Sequence, residues 1–94
     1  MATIVNVIDA SLYGSNIGRS GDTYAIATKD RLGIPLRLDQ IGKYVEQFLT
    51  YARDNPDVTF VIATGMASAY TRAALVPMFA DAPANCQLPK ELKP

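Results

Sequence analysis

Three segments of the chain consist almost entirely of apolar and β-branched residues, and they predict strands. They cover residues 3–10, 23–28 and 58–64. The first reads TIVNVIDA, and its lack of regular alternation is typical of a strand that is buried on both faces. A shorter segment at 85–88 predicts a last, peripheral strand. We therefore expect a small sheet of three to four strands.

Between the second and third strands the apolar period changes from two to 3.6. The apolar residues from Ile41 to Ala52 then share one face of a helix, and Lys43 and Glu46 occupy the other. We expect this amphipathic helix to begin at Leu38 and to end at Asn55-Pro56-Asp57, because proline disfavours helical geometry in the residue before it.

A second, shorter helix is predicted over about residues 71–79, where Pro77 lacks the amide that would donate back one turn. Strand, helix and strand in succession form a β-α-β unit, which indicates a parallel strand pair. The prediction is therefore a single α/β domain over residues 1–94, with a largely parallel sheet and flanking helices. Residues 89–94 are expected to be a frayed tail.

Nine basic and nine acidic side chains cancel, so the composition gives no cationic surplus for a nucleic-acid polymer or an anionic membrane. The sequence contains neither a signal-peptide pattern at its start nor eighteen apolar residues in a row, so we expect a cytoplasmic protein. A 94-residue domain leaves much apolar surface uncovered, which favours a homodimer.

The residue types restrict the chemistry. The chain has no histidine and a single cysteine, Cys86, which removes the commonest general base, the commonest zinc ligands and an internal disulfide. A lone cysteine in a strand-like segment is expected to be a buried apolar residue. We assign no catalytic residue, cofactor or metal.

In an open parallel sheet, ligands bind beyond the carboxyl ends of the strands. Three loops follow predicted strands here, at residues 13–22, 28–30 and 65–70. The candidate ligand-binding residues in and beside these loops are Asp9, Tyr13, Ser15, Asn16, Arg19, Thr28, Lys29, Asp30, Gly65, Met66, Ser68 and Tyr70.

Each loop has a functional and a structural interpretation. The small residues of the third loop would let backbone amides approach a phosphate, with Ser68 as a further donor. Residues 13–16 suit a ribose or a base edge, and Arg19 suits a phosphate. Equally, such loops often only turn a strand into a helix, and Lys29 with Asp30 is typical of a solvated ion pair.

Five sequence segments resemble a poorly characterised family of bacterial and phage proteins. These segments are TYAIATKD at 23–30, IPL at 34–36 leading into the helix, NPDVTF at 55–60, LVPMF at 75–79 and NCQLP at 85–89. Family members carry S-Y-A-I-P-T-K-D, a strand ending in I-G-C-G-L-A-G-Y, and A-P-M-F. The resemblance covers residues 23–89, and this family is in turn similar to macro domains.

The resemblance implies a macro-like or Rossmann-like fold with a pocket for ADP-ribose or a related nucleotide over these loops. The chain departs from the family in two places. Only Tyr13-Gly14-Ser15-Asn16 stands for the family's longer first loop, and residues 65–69 read GMASA in place of the glycine-rich loop. We therefore expect a truncated, divergent member.

Three functions follow from these observations. The first is a small phage-type protein that binds a nucleotide derivative without catalysis, sequestering or sensing it as a homodimer. The second is a protein–protein interaction module with a degenerate pocket. The third is an ADP-ribosyl hydrolase in which Asp9 or Asp30 activates water, ranked last because histidine is absent.

Overall fold

The computed structural model describes residues 3–11, 18–63 and 69–93. Its elements are β1 (Thr3–Ser11), β2 (Gly18–Ser20), β3 (Thr23–Lys29), α1 (Leu38–Asp54), β4 (Val58–Ile62), α2 (Ala69–Met78), β5 (Cys86–Gln87) and a 3-10 turn (Lys90–Leu92). The α/β class predicted from the sequence is confirmed.

The described strands form one five-stranded sheet in the order β2-β3-β1-β4-β5. β3, β1, β4 and β5 run parallel to one another, and β2 is antiparallel to β3. β1 is central, with Val7 opposite Tyr24 of β3 and Ile62 of β4. The β3-α1-β4 unit is parallel as predicted, but its strands lie on either side of β1.

The prediction of three to four strands was too low, because residues 18–20 were assigned to an irregular loop. They pair with the start of β3 through a two-residue turn in which Gly21 has a φ of 60°. A positive φ at the first turn position suits the twist of a hairpin. β2 is therefore an outer strand of the sheet. The turn at its end leads the chain into β3, which pairs with β1.

The sheet is covered on one face by both helices. Val5 and Val7 of β1 are buried against this layer, whereas Ile4 and Ile8 on the opposite face are 58% and 38% exposed. The prediction that β1 is buried on both faces was therefore wrong. Its apolar residues do alternate between an inner and an outer face, and the outer face also carries isoleucine.

The core forms around Phe48 of α1. Its ring lies 4.9 Å from the ring of Tyr24 in β3 and 5.2 Å from that of Phe60 in β4. Edge-to-face pairs of this kind are favoured by the quadrupoles of the rings. The buried residues of α1 are Ile41, Val45, Phe48, Leu49 and Ala52. This is the face predicted by the apolar period.

The C-terminal segment is ordered where a frayed tail was expected at 89–94. Residues 90–92 form a 3-10 turn that packs against α2, and Leu92 is 1% exposed within the core. Burying one leucine stabilises by about 1.5–3 kcal/mol, which is enough to hold a short polar segment in place. Because charged residues flank Leu92, its burial could not be predicted from the sequence pattern.

Asn85, which precedes β5, forms hydrogen bonds to the end of α1 and to the start of β4. Its Nδ2 group donates to the carbonyl oxygens of Ala52 at 3.0 Å, Asn55 at 3.1 Å and Val58 at 2.9 Å. Its own carbonyl accepts from the amide of Phe60 at 2.9 Å. One side chain therefore donates to three backbone carbonyls, of which those of Ala52 and Asn55 also accept the backbone amides of Asn55 and Val58.

We expect Asn85→Ala to lower the free energy of unfolding by about 2 kcal/mol, because three side-chain hydrogen bonds to backbone carbonyls are lost. Asn85→Asp should cost more, since a carboxylate would face the same carbonyls. Urea denaturation followed by circular dichroism measures both effects. Gln47→Ala, at an exposed position of α1, is the control; an equal loss in Asn85→Ala and this control would contradict the assignment.

Candidate functional site

The carboxyl edge of the sheet is the candidate site. The parallel strands β1, β3 and β4 end at this edge, at Ser11, Lys29 and Ile62. α1 and α2 follow β3 and β4 and therefore begin on the same side. In the part of the chain that the structure describes, the strand ends have the arrangement that ligand-binding sheets require.

The structure places some of the predicted residues at this edge. Thr28 and Lys29 end β3 and Asp30 follows them, Asp9 lies in β1 opposite Ile26, and Tyr70 is the second residue of α2. Six further candidates lie outside the described residues: Tyr13, Ser15, Asn16, Gly65, Met66 and Ser68.

Arg19 is not at the carboxyl edge. It lies opposite Tyr24, near the start of β3, and its Nε donates to the carbonyl of Gly21 at 3.0 Å. A terminal nitrogen reaches the hydroxyl of Tyr51, in the last turn of α1, at 3.4 Å. Five strand steps of about 3.3 Å separate Tyr24 from Lys29, so Arg19 lies roughly 17 Å along the strand direction from the end of β3.

The turn after β3 is fixed by Asp30. Its Oδ1 accepts hydrogen bonds from the amides of Leu32 at 2.8 Å and Ile34 at 2.9 Å, and its backbone amide donates to the Ile34 carbonyl at 2.9 Å. Gly33 has a φ of 82°, which favours glycine over other residues. These bonds give the Asp30 carboxylate a structural role in shaping the turn.

Replacing Asp30 separates this structural role from a catalytic one. Asp30→Ala should lower the free energy of unfolding by about 1–2 kcal/mol, because two backbone amides lose their acceptor. Asp30→Asn should retain most of the stability, since its amide oxygen can accept the same bonds. Urea denaturation of the three proteins checks this, and equal losses in the two variants would show that Oδ1 does not hold the turn.

Two large aliphatic side chains project from this turn. Leu32 is 79% exposed and Ile34 is 56% exposed, beside the exposed cations Lys29 and Arg31. Single exposed apolar residues are common on protein surfaces, but two on a hydrogen-bonded turn form an apolar projection. The carboxyl edge therefore offers both charge and apolar contact.

Two grooves run along α1 on the side of the helical layer. The larger, about 600 Å³, is lined by Asp39, Glu46 and Lys43 among others, and its two carboxylates disfavour an anion. The smaller, about 280 Å³, is lined by Leu36, Gln40, Lys43, Tyr44 and Gln47. It begins in the turn after β3 and carries one cation with no carboxylate.

Gln40, Lys43 and Tyr44 were not among the residues predicted for the site. Lys43 and Tyr44 lie at the border between the polar and apolar faces of α1, where helical periodicity gives no functional signal. The Gln40 side-chain oxygen accepts from the amide of Arg37 at 3.0 Å and so closes the first turn of the helix. Only the fold shows that these residues flank the carboxyl edge.

Cys86 is buried, as the sequence predicted, and does not belong to the carboxyl edge. Burial raises the pKa of its thiol to about 11, and Arg53 offsets part of this effect. Burial also raises the pKa of Tyr24, with a contribution from Tyr51. A thiol that stays protonated at neutral pH is a poor nucleophile.

We expect Cys86 to react with a thiol reagent slowly in the native protein and quickly in urea.

The folded-state pKa of the Cys86 thiol is near 11, against 9.0 for an unperturbed thiol. The contribution of this thiol to the stability of the fold is therefore complete below pH 9 and is lost as pH rises towards 11. Cys86→Ala should therefore lose less stability than the native chain over this range. Urea midpoints at several pH values measure it, and parallel curves would contradict the assignment.

The described residues hold neither a group of metal ligands nor a membrane-spanning helix. Among them there is no group of three or more His, Cys, Asp or Glu side chains that could hold a metal ion. No helix of the described segments is long and apolar enough to cross a membrane. In comparisons with protein-family models, curated proteins and solved structures, nothing matches this chain.

Proposed function

We propose that the chain is a non-catalytic binding module whose carboxyl edge takes a nucleotide derivative of the ADP-ribose type. The observation that carries this proposal is the ending of three parallel strands at one edge, where two helices begin. Helix N-termini and exposed strand ends are a recurrent setting for phosphate groups. A macro-like arrangement of the loops, implied by the sequence resemblance, belongs to the same proposal.

The chemistry at the edge suits such a ligand. Lys29 is an exposed cation at the end of β3, and Lys43 lines the 280 Å³ groove that begins in the adjacent turn. Tyr44 in the same groove supplies an aromatic surface for a base. The exposed ammonium group of Lys29 at a strand end suits a phosphate, for which it would act as a point charge.

A binding role is favoured over an enzymatic one. The chain has no histidine, and its one thiol is buried with a raised pKa. The Asp30 carboxylate, a candidate for activating water, accepts bonds from two amides of its own turn. General acid–base catalysis requires a titratable group within reach of a substrate, and these groups have structural positions instead.

Isothermal titration calorimetry with ADP-ribose, cyclic ADP-ribose isomers and cyclic dinucleotides tests the proposal. We expect heat with at least one of them and an approximately tenfold weaker Kd in Lys29→Ala, because one charge-assisted hydrogen bond is worth about 1.5 kcal/mol or more. Arg19→Ala is the matched control, since it removes a cation at the opposite end of β3 and should leave Kd unchanged.

Three results would count against the proposal. Absence of heat with every nucleotide would remove it. An equal loss in Lys29→Ala and Arg19→Ala would show that general charge attracts the ligand. A loss confined to Arg19→Ala would move the site to the amino end of the sheet.

The alternative is a protein–protein interaction module, and the exposed side chains of Leu32 and Ile34 favour it. A hydrogen-bonded turn that presents two exposed aliphatic groups forms an apolar patch, and such patches mark interaction sites on protein surfaces. This role needs the turn but no nucleotide. Retention of a partner by Lys29→Ala, with its loss in Leu32→Ser, would distinguish docking from nucleotide binding.

A further inference from the structure

Arg72, in α2, is an arginine that the fold partly withdraws from solvent. Arg19, Arg31, Arg37 and Arg53 are exposed, whereas Arg72 is partly buried. Its Nε atom is buried and has no hydrogen-bond acceptor. Within the described side chains, this is the buried nitrogen or oxygen atom that lacks a partner. A buried polar group left unpaired in a native fold calls for an explanation, and a bound ion is one of the ordinary ones.

The position of Arg72 explains why its side chain is withdrawn. Leu75 and Phe79 follow it at three and seven positions, and both are buried. Residues with this spacing share one face of a helix, so Arg72 lies on the face of α2 that packs against the core. It is the fourth residue of α2. Long side chains on a helix lean towards its amino end, which in α2 lies at the carboxyl edge of the sheet.

The charge of Arg72 is also unfavourably placed. The amino end of a helix carries a partial positive charge, so anions are stabilised there and cations are not. α1 follows this rule with Asp39 in its first turn, but the first turn of α2 contains no acidic residue. The ion pair among the described residues joins Arg37 to Asp39 and leaves Arg72 out. An anion bound beside Arg72 would compensate both the guanidinium and the helix end.

We propose that Arg72 binds a phosphate group at the carboxyl edge of the sheet, with Nε and a terminal nitrogen as paired donors. A guanidinium presents two parallel N–H groups, and this fork matches two oxygens of a phosphate. Arg72 keeps part of its surface in solvent, so a phosphate has access to the guanidinium, and rotation about the side-chain bonds turns Nε towards it. The inference deepens the proposed function and rests on it for the carrier of the phosphate, a nucleotide of the ADP-ribose type.

Arg72 should contribute more to the affinity than Lys29. Lys29 is exposed, and its ammonium group is strongly hydrated at the end of a flexible stem. The guanidinium of Arg72 is more weakly hydrated, and its partial burial already restricts the side chain, so less freedom is lost when a ligand binds. Arg72 is therefore the anchor for the phosphate, and Lys29 adds a point charge.

Stability measurements test whether Arg72 serves binding or the fold. Arg72→Met replaces the unpaired guanidinium with an apolar side chain of similar length. We expect the urea midpoint of the ligand-free protein to stay the same or to rise, because the lost Nε group has no acceptor in the described fold. Arg53→Met is the matched control, since it removes the same charge together with a hydrogen bond to the carbonyl of Asp81 at 3.4 Å. A larger loss of stability in Arg72→Met than in Arg53→Met would overturn the proposal.

Isothermal titration calorimetry with ADP-ribose, inorganic pyrophosphate and citrate tests the phosphate site. We expect both phosphate compounds to bind the native chain, and Arg72→Met to weaken their Kd by about tenfold or more, because charge-assisted hydrogen bonds are lost. Arg72→Lys should be weakened to a similar extent, since an ammonium group does not reproduce the paired contact. Arg53→Met, in the last turn of α1, should bind like the native chain.

The possible results separate this inference from the proposed function. Equal Kd values for ADP-ribose in the native chain and Arg72→Met would overturn the role of Arg72 and leave the proposed function standing. Pyrophosphate binding that depends on Arg72, without heat from ADP-ribose, would support the phosphate site and remove the nucleotide. Absence of heat with both phosphate compounds, binding of citrate in their place, or an equal loss in Arg72→Met and Arg53→Met would overturn the phosphate site.

Discussion

The structure depends on the packing of both helices against one face of a parallel sheet. Each helix connects parallel strands, and a connection of this kind must cross the sheet on one side or the other. Here α1 and α2 share a side, and Phe48 joins the helical layer to β3 and β4 through ring contacts. This single core accounts for the buried face, for the exposed isoleucines of β1 and for the side on which the helices begin.

The same packing separates the molecule into surfaces with different chemistry. The carboxyl edge carries Lys29, the turn shaped by Asp30 and the groove beside Tyr44, so it combines charge with irregular backbone. The face of β1 opposite the helices carries the exposed side chains of Ile4 and Ile8.

The amino end of the sheet is held by polar contacts rather than by apolar burial alone. Asn85 joins the end of α1, the start of β4 and β5, and Arg19 reaches from β2 to Tyr51 of α1. A guanidinium engaged at this end of the molecule stabilises the packing of β2 on the helix. Arg19 therefore lies near the start of β3 beside α1, away from the carboxyl edge at which the sequence analysis grouped it.

The sequence by itself determined the elements whose pattern is local. The period of 3.6 placed the buried face of α1, and apolar runs placed β1, β3 and β4. The position of a lone cysteine, Cys86, in a strand-like segment predicted its burial. Tertiary structure alone decided the strand order, the exposed face of β1, the pairing of residues 18–20, the burial of Leu92 and the position of Arg19. These features depend on contacts between residues far apart in the chain, and periodicity does not record which partner a strand or a side chain meets.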